Sequence, residues 1–124
     1  MKQINRLPDA ELAVMQAIWS LEGAVSRLEV ETVLEASYPM APTTILTLLS
    51  RLEERGFLQV DKQGRANRYT PLIPRAAYLA AQSRTFLDKL CGGDMHVFAT
   101  ALNDSGLSAE DKAELRRLLD EEAL

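Results

Sequence analysis

The 124-residue sequence contains one cysteine and one histidine. A single cysteine, Cys91, cannot form a disulfide within the chain, which is typical of a protein in a reducing compartment. With His96 as the one histidine, a zinc site or a nucleophile and base pair of the usual kind cannot be built. We expect Cys91 to be buried and apolar rather than redox-active, and His96 to be exposed or hydrogen-bonded rather than a pH sensor. The sequence therefore predicts no metal, no cofactor and no enzymatic activity.

Long apolar segments are also missing. No run approaches the roughly 18 apolar residues of a membrane-spanning helix, and the segment from Lys2 to Glu11 lacks the apolar centre of a secretory signal. The pair Gly92-Gly93 follows a predicted helix instead of preceding one, so a phosphate-binding glycine loop is not expected. We predict a cytoplasmic protein without a membrane-inserted segment.

The net charge of −4 is unevenly distributed along the chain. Residues 1–40 carry a net charge of −3, residues 41–75 a net charge of +3, and residues 76–124 a net charge of −4. Binding to nucleic acid depends on local cationic charge that replaces counterions at phosphates. The central segment is therefore the candidate for DNA contact, and the acidic remainder would repel DNA and orient the protein on it.

Residues 42–56 have the pattern of an amphipathic helix. Its apolar face, at the i, i+3, i+4, i+7 spacing, consists of Ile45, Leu48, Leu49 and Leu52. The opposite face consists of Thr43, Thr44, Thr47, Ser50, Arg51 and Glu54. Pro42 suits the first turn, and Gly56 suits the left-handed residue after the last turn. A hydroxyl-rich face with an arginine suits a groove of DNA, although an ordinary solvated helix face has a similar composition.

Two short strand-like runs follow, residues 57–60 and 67–70, on either side of a turn with Gly64. The resulting hairpin carries the basic residues Lys62, Arg65 and Arg68. A solvated hairpin is the commoner interpretation of such a segment taken alone. A helix followed by a basic hairpin, however, is the arrangement of a winged helix, whose hairpin, the wing, contacts phosphates or a minor groove.

Two further helices are expected before this pair of elements. The first covers residues 8–21, and the second covers residues 27–37 and begins with a capping box formed by Ser26 and Glu29. Their apolar faces would pack against the third helix. We place this winged helix-turn-helix domain at residues 1–73, which makes the fold mostly α with a small β-hairpin.

Residues 74–124 are expected to be helical, with helices at residues 74–91, at residues 94–102 and from Ser108 onward. Their apolar residues are few: Phe86, Leu87, Leu90, Phe98, Leu102, Leu115, Leu118 and Leu119. Because so few residues cannot build an independent core, we predict a helical dimerisation region shared with a second copy. The alternative is that these helices fold back onto the first domain of the same chain.

Several motifs resemble, in order and spacing, the penicillinase and methicillin-resistance repressors of the BlaI/MecI/CopY family. They are AELAVM followed by IW within residues 10–19, TILTLLSRL at residues 44–52, and FLDKL leading into GGDM at residues 86–95. The likeness runs in register from Leu7 to Leu119. It implies a cytoplasmic homodimeric winged-helix repressor that binds a palindromic DNA operator and blocks transcription.

The resemblance also implies the DNA-binding residues. The recognition helix would use Thr43, Thr44, Leu46, Thr47 and Arg51, and the wing would use Lys62, Arg65 and Arg68. Staphylococcal-type members have an arginine in place of Leu46. A leucine at the edge of the hydroxyl face can touch a thymine methyl group but cannot read guanine. We therefore expect a different operator sequence.

Repressors of this family are inactivated by proteolysis in their dimerisation helices, after a membrane sensor has detected a β-lactam. The corresponding bond here joins Ala101 and Leu102, which replace the family's asparagine and phenylalanine. The resemblance thus implies a membrane sensor-protease system as a partner and an antibiotic or cell-envelope signal. Copper sensing, found in a branch with a cysteine-rich C-terminal motif, is not expected because residues 120–124 contain no cysteine.

One alternative of a different class remains. The same fold can serve as a protein-protein interaction module that does not bind DNA, in which case the wing charges would be incidental. Salt dependence separates the two, because binding to several phosphates weakens steeply as ionic strength rises.

Overall fold

The computed structural model describes residues 4–122, so the outermost residues of the predicted domain ranges, 1–3 and 123–124, lie outside it. The elements in chain order are α1 (Asp9–Ser20), α2 (Arg27–Glu35), α3 (Pro42–Glu54), β1 (Leu58–Gln63), β2 (Ala66–Pro71), α4 (Arg75–Thr85), a π-helical turn (Phe86–Leu90), α5 (Met95–Asp104) and α6 (Ala109–Glu122). The chain forms two compact units, Met1–Gln82 and Ser83–Leu124. Within residues 4–122, no helix has the length and hydropathy needed to cross a bilayer.

The core of the first unit lies between α1, α2 and α3. The predicted apolar face of α3 is buried, as expected: Ile45, Leu48, Leu49 and Leu52. The predicted capping box at the start of α2 is confirmed, because the Ser26 hydroxyl accepts from the Glu29 amide at 3.2 Å and the Glu29 carboxylate accepts from the Ser26 amide at 3.0 Å. Gly56 has a φ of 84°, so it supplies the left-handed residue that ends α3.

The two strands form an antiparallel hairpin in register from Leu58↔Pro71 to Gln63↔Ala66. The strands extend further toward the turn than predicted, so the connection is only Gly64 and Arg65, with Gly64 at a φ of 64°. At the base of the hairpin, buried Tyr69 pairs with Val25 through two backbone hydrogen bonds of 2.9 and 2.8 Å. This bridge attaches β2 to the segment that precedes α2.

The first part of α4 belongs to the first unit. The Leu7 amide donates to the Tyr78 hydroxyl at 2.9 Å, and the Gln82 side-chain amide donates to the Ile4 carbonyl at 3.3 Å. The Tyr78 ring also contacts the rings of Trp19 and Phe57 at centroid distances of 5.6 and 5.8 Å. The division between the units therefore follows Gln82, whereas the sequence interpretation placed a boundary between residues 73 and 74.

In the second unit, the helix predicted as uniform over residues 74–91 changes form. It is α-helical to Thr85 and then π-helical from Phe86 to Leu90, where the Cys91 amide donates to the Phe86 carbonyl at 3.2 Å. Cys91 is buried and His96 is exposed, as predicted. The Asp94 carboxylate accepts from the His96 and Val97 amides and thereby caps α5.

Most of the predicted dimerisation residues are accessible in the second unit. Leu90 and Leu119 are 74% and 64% exposed. Phe86, Leu115 and Leu118 are also exposed, whereas Phe98 and Leu102 are half-buried, and these seven residues are called the C-terminal apolar set. Leu102, Leu115 and Leu119 line one groove of about 300 Å³ between α5 and α6. Leu87 differs from the set because it is buried within the chain.

Candidate nucleic-acid interface

The outward face of α3 is exposed because the apolar face of the same helix is buried in the core. All five side chains predicted for the recognition helix lie on that exposed face: Thr43, Thr44, Leu46, Thr47 and Arg51. The Thr47 hydroxyl donates to the Thr43 carbonyl at 3.1 Å, so the hydroxyl hydrogen stays on the helix and the oxygen remains an acceptor. The face can therefore offer hydroxyl groups and one guanidinium to a ligand.

A groove joins this face to the wing. Leu46, which is 42% exposed, forms part of its wall. The groove has a volume of about 270 Å³ and is lined by Ser26, Arg27, Leu28, Leu46, Arg65, Ala66, Asn67 and Tyr69. The start of α2, the middle of α3 and the wing thus form a single concave surface.

The sequence interpretation did not include Ser26, Leu28 or Asn67 in the interface. Leu28 offered a weak signal in the sequence, because it lies outside the predicted apolar face of α2, and in the structure it is 66% exposed. Ser26 and Asn67 carry no sequence signal of their own, since their place in the groove depends on how β2 packs beside α2.

The wing presents two exposed cations near its tip, Lys62 and Arg65. Within residues 4–121, neither of these side chains nor Arg51 forms an ion pair with a carboxylate. A cation without a carboxylate neighbour keeps its full charge available for a phosphate. Within that part of the chain, these three residues therefore supply the cations of the candidate interface that are free to meet a phosphate.

Arg68, the third predicted wing residue, is placed differently. Its Nη1 donates to Glu29 Oε1 at 3.1 Å and to the Ala24 carbonyl at 3.5 Å. The pKa of Glu29 is lowered, chiefly by hydrogen bonds from the backbone and side chain of Ser26 and further by the charge of Arg68. A lowered pKa keeps this carboxylate ionised, so Arg68 faces a permanent negative charge at neutral pH.

A buried carboxylate supports α3 from the other side. Glu11 on α1 is only 2% exposed, and its two oxygens accept from Arg55 Nε at 2.6 Å and Arg55 Nη2 at 3.3 Å. This two-point ion pair joins α1 to the residue that follows α3. It was not predicted, because the two residues are 44 positions apart in the chain. Its effect is to hold the C-terminal end of the recognition helix against α1.

The chemistry of the surface is that of binding rather than catalysis. Across residues 4–122, no group of three or more His, Cys, Asp or Glu side chains is placed to hold a metal ion. The exposed groups in the interface are hydroxyls, an amide, leucines and cations, which suit phosphates, base edges and thymine methyl groups.

Comparison with known proteins agrees with this geometry. The family model described as Penicillinase repressor matches residues 7–121. The penicillinase repressor of Bacillus licheniformis is 35% identical over 122 residues, which are 98% of this chain and 94% of that protein. The methicillin resistance regulatory protein MecI of Staphylococcus aureus is 27% identical over 114 residues, 91% of this chain and 92% of that protein.

Solved structures of relatives show the same winged-helix fold. The DNA-binding domain of the repressor BlaI in solution is 40% identical, with a TM-score of 0.53 over 63% of this chain and 94% of that chain. The monomeric form of Bacillus licheniformis BlaI in complex with the blaP half-operator is also 40% identical, with a TM-score of 0.52 and the same coverage. The predicted fold class, mostly α with a winged helix and a small hairpin, is confirmed. This chain belongs to the penicillinase repressor family, the BlaI/MecI/CopY group of DNA-binding transcriptional repressors, which are not enzymes.

Proposed function

We propose that this protein represses transcription by binding, as a homodimer, to a palindromic operator in the cytoplasm. The observation that carries the proposal is the single concave surface formed by α2, α3 and the wing. That surface includes Leu46 of α3 and Arg65 of the wing. It adjoins the exposed hydroxyl face of α3, and most of it belongs to residues 41–75, which carry a net charge of +3. The half-operator complex of a relative that is 40% identical supports the same mode of binding.

In this proposal α3 enters a major groove. Thr43, Thr44 and Thr47 offer hydroxyls to phosphates or base edges, and Arg51 pairs with a phosphate or a guanine. Leu46 contacts a thymine methyl group. Lys62 and Arg65 on the wing bind the phosphate backbone. Arg68 belongs to the same set of predicted DNA-binding residues, but its contact with Glu29 also ties β2 to α2.

The homodimer is proposed from the C-terminal apolar set. Seven apolar side chains that the second unit leaves exposed or half-buried would be costly in water, and a second copy would cover them by two-fold symmetry. Two DNA-binding units related by a two-fold axis fit a palindromic site with one unit on each half-site. The relative bound to a half-operator is a monomeric form, which is consistent with one unit per half-site.

Inactivation is proposed to follow proteolysis in the dimerisation region on an antibiotic or cell-envelope signal, through a membrane sensor-protease system. The candidate bond between Ala101 and Leu102 lies within α5, and both residues are half-buried. Because proteases bind extended chain, cleavage at this bond requires local unfolding of α5. Intact repressor recovered from fully induced cells would contradict this part of the proposal.

Footprinting on the DNA upstream of the protein's own gene tests the main proposal. We expect a protected two-fold repeat, and the affinity should fall steeply with salt, with log K decreasing by about 0.9 per phosphate contacted. Binding that ignores ionic strength, or no protected duplex, would instead favour the protein-protein interaction module.

Arg51→Ala tests the assignment of the recognition helix. Loss of a bidentate base contact costs about 1–3 kcal/mol, so operator binding should weaken by about tenfold or more in a gel-shift titration. Glu121→Ala is the control, because it removes an exposed carboxylate on α6, where the contact with Arg117 is 2.6 Å. Equal effects of the two substitutions would contradict the assignment.

A further inference from the structure

The wing has few attachments to the rest of the first unit. Its base is joined to the chain by the bridge between Tyr69 and Val25, with hydrogen bonds of 2.9 and 2.8 Å. One residue closer to the tip, Arg68 contacts Glu29 and the Ala24 carbonyl. From there to the tip the side chains of β1 and β2 are exposed or half-buried. A hairpin of two strands is marginally stable by itself, so contacts near its base determine where its tip lies.

Glu29 is well suited to be one of these contacts because it is itself held in place. Its Oε1 accepts from the Ser26 amide at 3.0 Å, and its own amide donates to the Ser26 hydroxyl at 3.2 Å. The same Oε1 accepts from Arg68 at 3.1 Å. The carboxylate that caps α2 is thus also the partner of a wing residue 39 positions later in the chain.

We propose that Glu29 and Arg68 form a brace that sets the position of the wing against α2, which makes Glu29 a positioning residue for DNA binding. This inference rests on the proposed function, since the wing is taken to contact phosphates. Arg68 acts by holding β2 so that Lys62 and Arg65, nearer the tip, meet the backbone. DNA recognition by the wing therefore depends on the capping box of α2.

The brace and simple electrostatics predict opposite effects of removing the Glu29 charge on the affinity for DNA. Removing a carboxylate from a DNA-binding surface normally strengthens binding, because it lowers the repulsion of phosphates. If Glu29 only competed with phosphate for Arg68, its neutralisation would strengthen binding as well. The brace predicts that neutralising Glu29 weakens binding, because the wing loses its fixed position.

Glu29→Gln and Arg68→Ala, singly and together, test the brace. Glutamine keeps an acceptor for the Ser26 amide, so the cap of α2 is retained while the charge on the Arg68 contact is lost. Asp61→Asn is the matched control. Asp61 is exposed, lies opposite Arg68 in the hairpin register, and forms no ion pair within residues 4–121.

Affinity is measured by fluorescence anisotropy on the footprinted duplex at fixed salt. Loss of an exposed ion pair of this kind should weaken DNA binding by about threefold per subunit. For a dimer with two wings, the loss of affinity becomes about tenfold. We expect Glu29→Gln and Arg68→Ala each to weaken binding by this factor, the double variant to bind no more weakly than Arg68→Ala, and Asp61→Asn not to weaken binding. Tighter binding by Glu29→Gln, or an equal further loss in the Arg68→Ala background, would overturn the brace.

Backbone ¹⁵N relaxation of the free protein measures the mobility of the wing tip without DNA. The order parameters of the amides of residues 63–66 should be lower in Glu29→Gln and Arg68→Ala than in the wild type and in Asp61→Asn. Unchanged order at the wing tip in both variants would also overturn the brace. Failure of the wild type to bind any duplex would reject the proposed function instead, and the relaxation result would still decide whether the brace exists.

Discussion

At the scale of single residues, the interface is decided by which side chains have partners within the chain. Arg51, Lys62 and Arg65 have no carboxylate partner within residues 4–121, so they can bind a ligand at full charge. Arg68 has the same charge and lies in the same hairpin, but Glu29 occupies one of its nitrogens. Composition alone cannot distinguish these two situations.

Leu46 provides the prediction at this scale. It is exposed and lines the groove, so its apolar side chain is placed where the family resemblance implies an arginine in staphylococcal-type members. Leu46→Arg should shift the preferred base toward guanine at one position in each half-site, with discrimination of about 1–3 kcal/mol. Selection from a library of randomised duplexes measures the shift. Unchanged base preference at every position would show that Leu46 does not face a base.

At the scale of elements, α3 is held at both ends by different means. Pro42 and Gly56 define the two ends through backbone conformation. The ion pair between Glu11 and Arg55 then fixes the C-terminal end against α1, with distances of 2.6 and 3.3 Å. The recognition helix is consequently oriented by a contact on the side opposite to its exposed face.

Glu11→Gln should destabilise the first unit. Removing one member of a fully buried ion pair costs about 3–5 kcal/mol, but Arg55 is 43% exposed and can be solvated again, so we expect about 2 kcal/mol. Urea denaturation followed by circular dichroism measures the loss. Glu53→Gln, at an exposed position on α3, is the control and should change stability by less than about 0.5 kcal/mol. Similar losses in both variants would contradict the role of the pair.

At the scale of the whole molecule, each unit has its own surface with its own chemistry. The first unit carries the concave surface formed by α2, α3 and the wing, and the second carries the C-terminal apolar set. If these surfaces serve DNA and a second copy, respectively, a substitution in one should leave the function of the other intact. This independence can be tested directly.

Leu119→Asp should separate dimerisation from half-site binding. A charge placed within an apolar interface should raise the dimer dissociation constant by about tenfold or more, equivalent to about 1.4 kcal/mol. Analytical ultracentrifugation measures the constant, and anisotropy on a half-site duplex should show unchanged binding. Leu72→Asp is the control, because Leu72 is 52% exposed in the first unit and lies outside the apolar set. An unchanged monomer-dimer equilibrium in Leu119→Asp would contradict the proposed dimer surface.

Much of the fold could be predicted because its signals are local. The apolar spacing in α3, the capping box of Ser26 and Glu29, and Gly64 in the hairpin each act between residues close in the chain, and each is found in the structure. The π-helical turn at Phe86–Leu90 was missed because helical periodicity does not reveal an extra residue in one turn. Within the candidate site, the exposed face of α3 was predictable, whereas the contributions of Ser26, Leu28 and Asn67 were not.

The sequence by itself determined which face of α3 is buried, the order of the helices and the hairpin, and which segment carries positive charge. These properties follow from periodicity, capping and composition, which operate along the chain. Only the tertiary structure decided the partners of the charged and polar groups. Glu11 meets Arg55 across 44 residues, Glu29 meets Arg68 across 39, and the Leu7 amide meets Tyr78 across 71. The physical reason is that an ion pair or hydrogen bond requires atoms about 3 Å apart, and distant residues reach that separation only after the core has packed.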